Sequence, residues 1–423
     1  MVDKLLAKVF EPERWESAIE TGVGKGIDKG ELRSLCSPET RARLAFAIIQ
    51  DNYEIAPPHQ ALIPKDNGEF RTVYVNENMD RIFLSIVNDL LFEECKSMIH
   101  PSCKSYQKGI GCGKIVQSIS KTIKKYSVHD SQTIGIKADL SKYFDSVPIE
   151  FIDDAFDQVE EMHGKSKVID ILRKYYHTDL CFDPDGNLIE HYQSLKQGCA
   201  VASWLADMML YHIDKKLSKL NGEYVRYSDD ILYVGPHYNQ AMKILKVELE
   251  KMSMKLNPKK VECIVNDKWF KFLGFMIKGD QITLSQSRVK NFQKEIESRS
   301  IKKVRITGKG ALNSINRYLY KGDGTYSWAT QVLPIINVEK DIDTLNEFVM
   351  DCIRACQTGK KKIGGLGSVK DKEDYTILRG TGKNVTANRK NTGKEIEGYY
   401  SIRCMQNALN ICRPVYDTIV REM

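Results

Sequence analysis

None of the 11 cysteines of this 423-residue chain forms a C-x-x-C pair; the nearest approach is Cys352 and Cys356. Scattered cysteines, odd in number and without ligand spacing, exclude a zinc ribbon and a disulfide framework. They read as reduced thiols of a cytoplasmic protein. Histidine is scarce too: the chain has 8, and none follows His237. That argues against a His-dependent nuclease or a Cys/His finger in the C-terminal part. No apolar run reaches the roughly 18 residues of a membrane span, so no membrane partner is expected. The N-terminal stretch MVDKLLAKVFEPERWE carries too many charges for a secretory signal and reads as an amphipathic helix. Internal repeats are absent. What remains is ordinary for a globular protein: 42% hydrophobic and 28% charged residues, with a net charge of +7. This mild basic balance permits a polyanionic partner without requiring one. The length allows two or three domains.

Along the chain, residues 1–56 read as helical and charged. PPHQALIPKDNGEFRTVYV predicts a hairpin, from its prolines and its Asp-Asn-Gly turn signal. NMDRIFLSIVNDLLFEECKSMI has helical spacing. TIGIKADL reads as a strand ending at Asp139, and IEFIDDAFDQVEEM as a helix. CAVASWLADMMLYHIDKKL predicts one strongly apolar helix. YNQAMKILKVELEKMSMKL is amphipathic, and KFLGFMI reads as one strand. Strands backed by helices in this order predict an α+β domain. Beyond about residue 281 the chain turns helical and basic. Residues 359–398 form a Gly- and Lys-rich stretch, either a solvated loop or an arm that orders on an anion. The chain closes with a helix expected to break at Pro414.

The stretch YVRYSDDILYV places Asp229 and Asp230 between two runs of strand formers. Alone, it is either a solvated hairpin tip or half of a metal site, since hard carboxylate oxygens suit Mg²⁺. A metal site needs a further carboxylate, and Asp139 in IKADLSKYFDSVP is a candidate. By itself Asp139 reads as a helix N-cap, a common use of Asp after a strand. Two cations held by such carboxylates would clamp the attacking and leaving oxygens of a phosphoryl transfer.

The joint order of motifs resembles the palm of reverse transcriptases. It runs from a strand ending in Asp, through Gln-Gly and an apolar helix, to Tyr-x-Asp-Asp and Phe-Leu-Gly-Phe. The resemblance covers residues 61–277 and implies an α+β right-hand polymerase fold with an α-helical C-terminal extension. The expected division is 1–56 N-terminal helical segment, 57–280 fingers and palm, 281–336 thumb, and 337–423 extension. It implies two Mg²⁺ ions, with Mn²⁺ as an alternative, on Asp139, Asp229, the Leu140 backbone carbonyl and, more weakly, Asp230. Adjacent strand residues face opposite ways, which would turn Asp230 outward. In MKLNPKKVECI, Lys260 matches the lysine that protonates the leaving pyrophosphate. Lys65 and Arg71 of IPKDNGEFR would meet the triphosphate, and Phe144 would be the aromatic gate that excludes a 2′-hydroxyl. Gln197, Gly198 and Tyr227 complete the implied nucleotide site. Arg81, Ser105, Tyr106, Leu273 and Gly274 would touch primer or template. The family's Gln-Gly motif is followed by Ser-Pro; here Ala202 and Ser203 stand there, which withdraws any contact of that serine.

The chain has no room for an integrase or a separate ribonuclease H. It is most similar to the bacterial abortive-infection and defence-associated reverse transcriptases. This resemblance implies an RNA-directed DNA polymerase that copies a structured non-coding RNA template into DNA from dNTPs, in antiphage defence. The alternatives are a retron-type or group II-like reverse transcriptase, a viral-type RNA polymerase, and a non-catalytic RNA-binding scaffold. Lys360, Lys361, Lys362, Arg389 and Lys390 would form the RNA-binding arm. No oligomeric state is implied.

Overall fold

The structure, a computed structural model, describes residues 3–21, 23, 26–65, 68–107, 109–127, 132–324, 326–357 and 396–423. The chain forms two compact units, 1–110 with 133–264, and 111–132 with 265–423. Its strands are β1 (His59–Pro64), β2 (Phe70–Val75), β3 (Thr133–Asp139), β4 (Leu180–Phe182), β5 (Leu188–Glu190), β6 (Glu223–Tyr227), β7 (Asp230–Val234), β8 (Glu262–Val265), β9 (Phe270–Phe272), β10 (Phe275–Lys278) and β11 (Gln281–Leu284).

In the first unit, the helices Lys4–Val9, Pro12–Thr21, Lys29–Leu35 and Pro38–Ile49 precede β1. Asp3, Asp28 and Ser37 cap three of them through side-chain oxygens, which satisfies amide groups that a helix leaves unpaired. The expected hairpin is β1 paired antiparallel with β2, in a sheet of order β2-β1-β4-β5. Helix Asn78–Glu94 buries Ile82, Phe83, Ile86, Val87, Leu90 and Leu91, the recurrence that a one-sided helix requires. The central sheet has order β6-β7-β3-β8. Helices Ile149–His163, Val201–Met209 and Tyr238–Lys251 bury their apolar sides in the same core as Ile136, Ala138, Ile231 and Tyr233 of that sheet.

The apolar helix expected from Cys199 onward is two helices, Val201–Met209 and Tyr211–Leu217. The Arg226 guanidinium donates to the carbonyls of Ala206, at 3.2 Å, and Asp207, at 2.5 Å. Tyr143 Oη also donates to Ala206, at 2.7 Å. These carbonyls would otherwise accept from the next helical turn, so the helix ends there.

The second unit holds helix Cys112–Tyr126, the sheet β9-β10-β11 and the remaining helices. Ser120 Oγ donates to the Gly279 carbonyl at 2.9 Å and seats Cys112–Tyr126 on the β10–β11 turn. KFLGFMI is not one strand: β9 and β10 pair with each other across a two-residue turn. Its residues Leu273 and Gly274 have φ of +48° and +78°. The closing helix breaks at Cys412 into Ile402–Ile411 and Arg413–Glu422, with Pro414 in the first turn of the latter, where a missing amide costs no hydrogen bond. Gln406 Nε2 donates to the carbonyls of Leu333 and Ile336 at 2.9 and 2.7 Å, and fixes the first of these helices to its unit. Among the described residues no helix is long and apolar enough to cross a membrane.

Candidate active site

Strands β6 and β7 form a hairpin in which Tyr227 pairs with Asp230. Its turn is therefore Ser228 and Asp229. β3 runs antiparallel along the other side of β7, and the register sets Asp139 opposite Asp230. Directly opposed residues project from the same face, so Asp139 and Asp230 share one. The outward turn expected of Asp230 does not occur, because Asp229 lies in the turn, where strand alternation no longer applies. Three carboxylates thus gather at one end of the central sheet.

Their charges interact. Burial, then the neighbouring charges of Asp139 and Asp230, push the Asp229 carboxyl up to about 6. Asp139 is buried and its Oδ2 accepts from Lys260 Nζ at 2.7 Å. Lys260 ends the short 3₁₀ turn Pro258–Lys260, which Asn257 caps. The Asn257 amide in turn donates to the Asp139 carbonyl at 2.8 Å. Burial pulls the Lys260 ammonium down, but its hydrogen bond to Asp139 and the three carboxylate charges outweigh this and hold it above its ordinary value. Leu140 is buried and bridges to Leu256.

Among the described residues no group of three His, Cys, Asp or Glu side chains encloses a cation by itself. The donors present still suit a hard divalent ion. They are carboxylate oxygens, they repel one another, and Mg²⁺ characteristically takes one or two carboxylates and completes its shell with water and phosphate.

Lys142 has φ +48° and starts the short helix Tyr143–Ser146. Phe144 within it is half-buried and meets Tyr143 edge-on, ring centres 5.6 Å apart. The Phe144 carbonyl accepts from the Leu195 amide at 3.1 Å, and the Gln197 carbonyl accepts from the Tyr74 amide at 2.7 Å. The Gln-Gly segment thus joins the Phe144 turn to β2. Gly198 has φ +114°, and a Cβ there would lie 2.7 Å from the Tyr74 carbonyl oxygen, so only glycine fits. Lys65 and Arg71 are exposed on the β1–β2 hairpin. Lys65 pairs with Glu69, at 3.5 Å. At Asp145, beside Phe144, burial raises the carboxyl while Lys142, His191, Lys65 and Arg71 oppose it.

Tyr227 is half-buried, its ring 6.5 Å from that of Tyr106. Tyr106 Oη donates to Ser228 Oγ at 3.3 Å. Ser105, expected against primer or template, is wholly buried instead. Its hydroxyl bonds to Asp207 and accepts from the Ser228 amide. Arg81 is half-buried in the first turn of its helix, 3.4 Å from Asn78 Oδ1. Leu273 and Gly274 belong to the second unit. Lys360, Lys361, Lys362, Arg389 and Lys390 lie outside the described residues.

Sequence reasoning passed over Arg226, which is fully buried and paired with Asp214 at 2.7 Å, and Lys196, also buried. Lys196 Nζ donates to the Thr178 carbonyl at 2.7 Å and Gln193 Oε1 at 3.0 Å, and burial lowers its ammonium to about 8. A lone basic residue in a strand or a Gln-Gly turn gives no signal that it points inward.

The family model for reverse transcriptase (RNA-dependent DNA polymerase) matches residues 63–277. The chain belongs to the reverse transcriptase family. This family of nucleotidyltransferases generally uses divalent metal ions, and the chain has its α+β right-hand polymerase fold. No curated protein matches the chain. Among solved structures, telomerase from Candida albicans in complex with a TWJ fragment of telomeric RNA is similar at 15% identity and TM-score 0.44, over 74% of this chain and 56% of that one. Apo telomerase from Candida tropicalis is similar at 12% identity and TM-score 0.43, over 73% and 59%. The same apo telomerase truncated from the C-terminal domain is similar at 16% identity and TM-score 0.40, over 54% and 56%. The chain spans less than two thirds of the length of these structures.

Proposed function

We propose that this reverse transcriptase is an active RNA-directed DNA polymerase that works with two Mg²⁺ ions, copies a structured non-coding RNA and serves in antiphage defence. The observation that carries the catalytic reading is the register of β3 on β7. It sets Asp139 across from Asp230 and beside Asp229, with Lys260 on Asp139. Three mutually repelling carboxylates at one sheet end are a poor arrangement for stability and a good one for divalent cations. When bound, the cations would stabilise charge on the attacking and leaving oxygens. Asp139 and Asp229 are the residues that would hold them, with Asp230 and the Leu140 carbonyl alongside. Lys260 keeps its proton at neutral pH and would give it to a departing pyrophosphate. Lys65 and Arg71 supply positive charge for the triphosphate. The Phe144 ring would leave no space for a 2′-hydroxyl.

The template and defence assignments rest on the motif resemblance and on the basic stretch at 359–398. Basic groups there would neutralise RNA phosphates and make binding steeply salt-dependent. We retain the division into fingers and palm, thumb and extension on the same footing.

The test is extension of a DNA primer on an RNA template by the purified chain. dNTPs should be incorporated in the presence of Mg²⁺, and a chelator should stop synthesis. Phe144→Ala should raise rNTP use relative to dNTP use by tenfold or more, for a loss of roughly 1.4 kcal/mol of discrimination. Absence of synthesis, or an unchanged ratio, removes the corresponding assignment.

A further inference from the structure

We propose that Ser105 and Arg226 are positioning residues that clamp Ser228 from both sides and so hold Asp229 against Asp139. The inference rests on the polymerase reading for its consequence, though not for its geometry. Ser228 has φ +57°, a left-handed backbone that a non-glycine residue keeps only when its surroundings enforce it. Its amide donates to Ser105 Oγ at 2.8 Å, and its carbonyl accepts from Arg226 Nη1 at 3.1 Å. Both side chains are fully buried.

Each clamp residue is held in turn. A hydroxyl has one proton and two lone pairs. Ser105 spends the proton on Asp207 Oδ1, which leaves its lone pairs for the Ser228 amide. The other oxygen of Asp207 has no hydrogen-bond partner among the described residues, and Cys103 Sγ lies 3.3 Å from the Ser105 hydroxyl. Arg226 directs Nε and Nη2 to Asp214, Nη2 also to the Asp207 carbonyl, and Nη1 to the carbonyls of Ala206 and Ser228. Tyr224 Oη holds Asp214 at 2.6 Å. Every guanidinium N–H is therefore used, which a lysine ammonium cannot reproduce. Asp229 is the next residue in the chain, so its direction is set by a residue whose N–H and C=O are both fixed.

Hydrogen exchange resolved to the Ser228 amide of the wild-type chain tests the clamp directly. The amide should exchange as slowly as its β6 neighbours; exchange at the rate of an open turn would overturn the proposal. Ser105→Ala should raise the Kd for Mn²⁺, titrated by electron paramagnetic resonance, about tenfold, the low end of what loss of a supporting hydrogen bond costs a metal site. The Mg²⁺ concentration for half-maximal synthesis should rise by the same factor, with KM for primer–template unchanged, and Ser105→Thr should restore both. Wild-type metal affinity in Ser105→Ala, or equal defects in the Ala and Thr variants, would also overturn it. Should Ser105→Ala fail to fold, the wild-type exchange measurement decides alone. A wild-type chain that binds Mn²⁺ but makes no DNA would remove the polymerase reading and leave the clamp to be judged by exchange and metal affinity.

Discussion

Two hairpin turns of this chain have the same length and opposite construction. The β9–β10 turn uses Leu273 and Gly274, both with positive φ, the pattern of a type I′ turn. A side chain on Gly274 would strike Arg288, which stacks on the Phe275 ring with its guanidinium 4.3 Å from the ring centre. Local chemistry suffices there. The β6–β7 turn has positive φ only at Ser228, the position that glycine takes in type II′ turns. Its conformation is imposed from outside, by Ser105 and Arg226. The turn that aims a carboxylate is fixed by a buried polar network, whereas the β9–β10 turn is fixed by its own glycine. The Gln-Gly segment belongs with the first kind. Ser194, Lys196 and Gly198 all have positive φ, and the buried Lys196 ammonium ties the segment to the Thr178 carbonyl.

The largest effect should come from what the β6–β7 turn aims. Asp229→Asn or Asp139→Asn should reduce DNA synthesis at least a thousandfold, or roughly 4 kcal/mol. The melting temperature should fall little or rise, because mutual repulsion is relieved. Near-normal primer extension by either variant would reduce the turn to a surface hairpin.

Lys196 gives a pH test of the buried-charge design. Its folded pKa of about 8 lies below its value in the unfolded chain. Between these pH values the unfolded state binds more protons, so wild-type stability should rise with pH across that window. Against Lys196→Met, whose stability lacks this contribution, the wild type should gain up to roughly 3 kcal/mol between pH 7 and pH 10. Denaturant unfolding at several pH values measures it, and parallel curves would place the ammonium in solvent.

The turns themselves should respond in opposite ways. Gly274→Ala should destabilise the second unit by about 1–2 kcal/mol, from positive φ and the displaced Arg288. Ser228→Gly should change stability by less than about 1 kcal/mol, since relief of backbone strain offsets the lost Tyr106 hydrogen bond. Paired denaturation curves compare them. A larger loss at Ser228 than at Gly274 would reverse the contrast.

The motifs were legible because each is local. Alternating apolar residues announce β3, β6 and β7, and Asp139, Asp229 and Asp230 stand at their ends. The break of the helix at Leu210 was not legible, since it depends on Arg226 arriving from β6 to take two carbonyls. The split of KFLGFMI was missed although its glycine signalled it, because apolar residues on both sides of a two-residue turn read as one run.

The sequence by itself therefore determined the family, the main strands that carry the carboxylates, and which residue types could do chemistry. Those follow from short-range periodicity and turn chemistry. Only the tertiary structure decided that Asp230 shares a face with Asp139, that Ser105 supports the turn from beneath, and that Arg226 and Lys196 point inward. These depend on strand register and on which distant carbonyls and carboxylates compensate a buried charge. Burying an ammonium or guanidinium is tolerable only where such partners meet it, and residues far apart along the chain supply them.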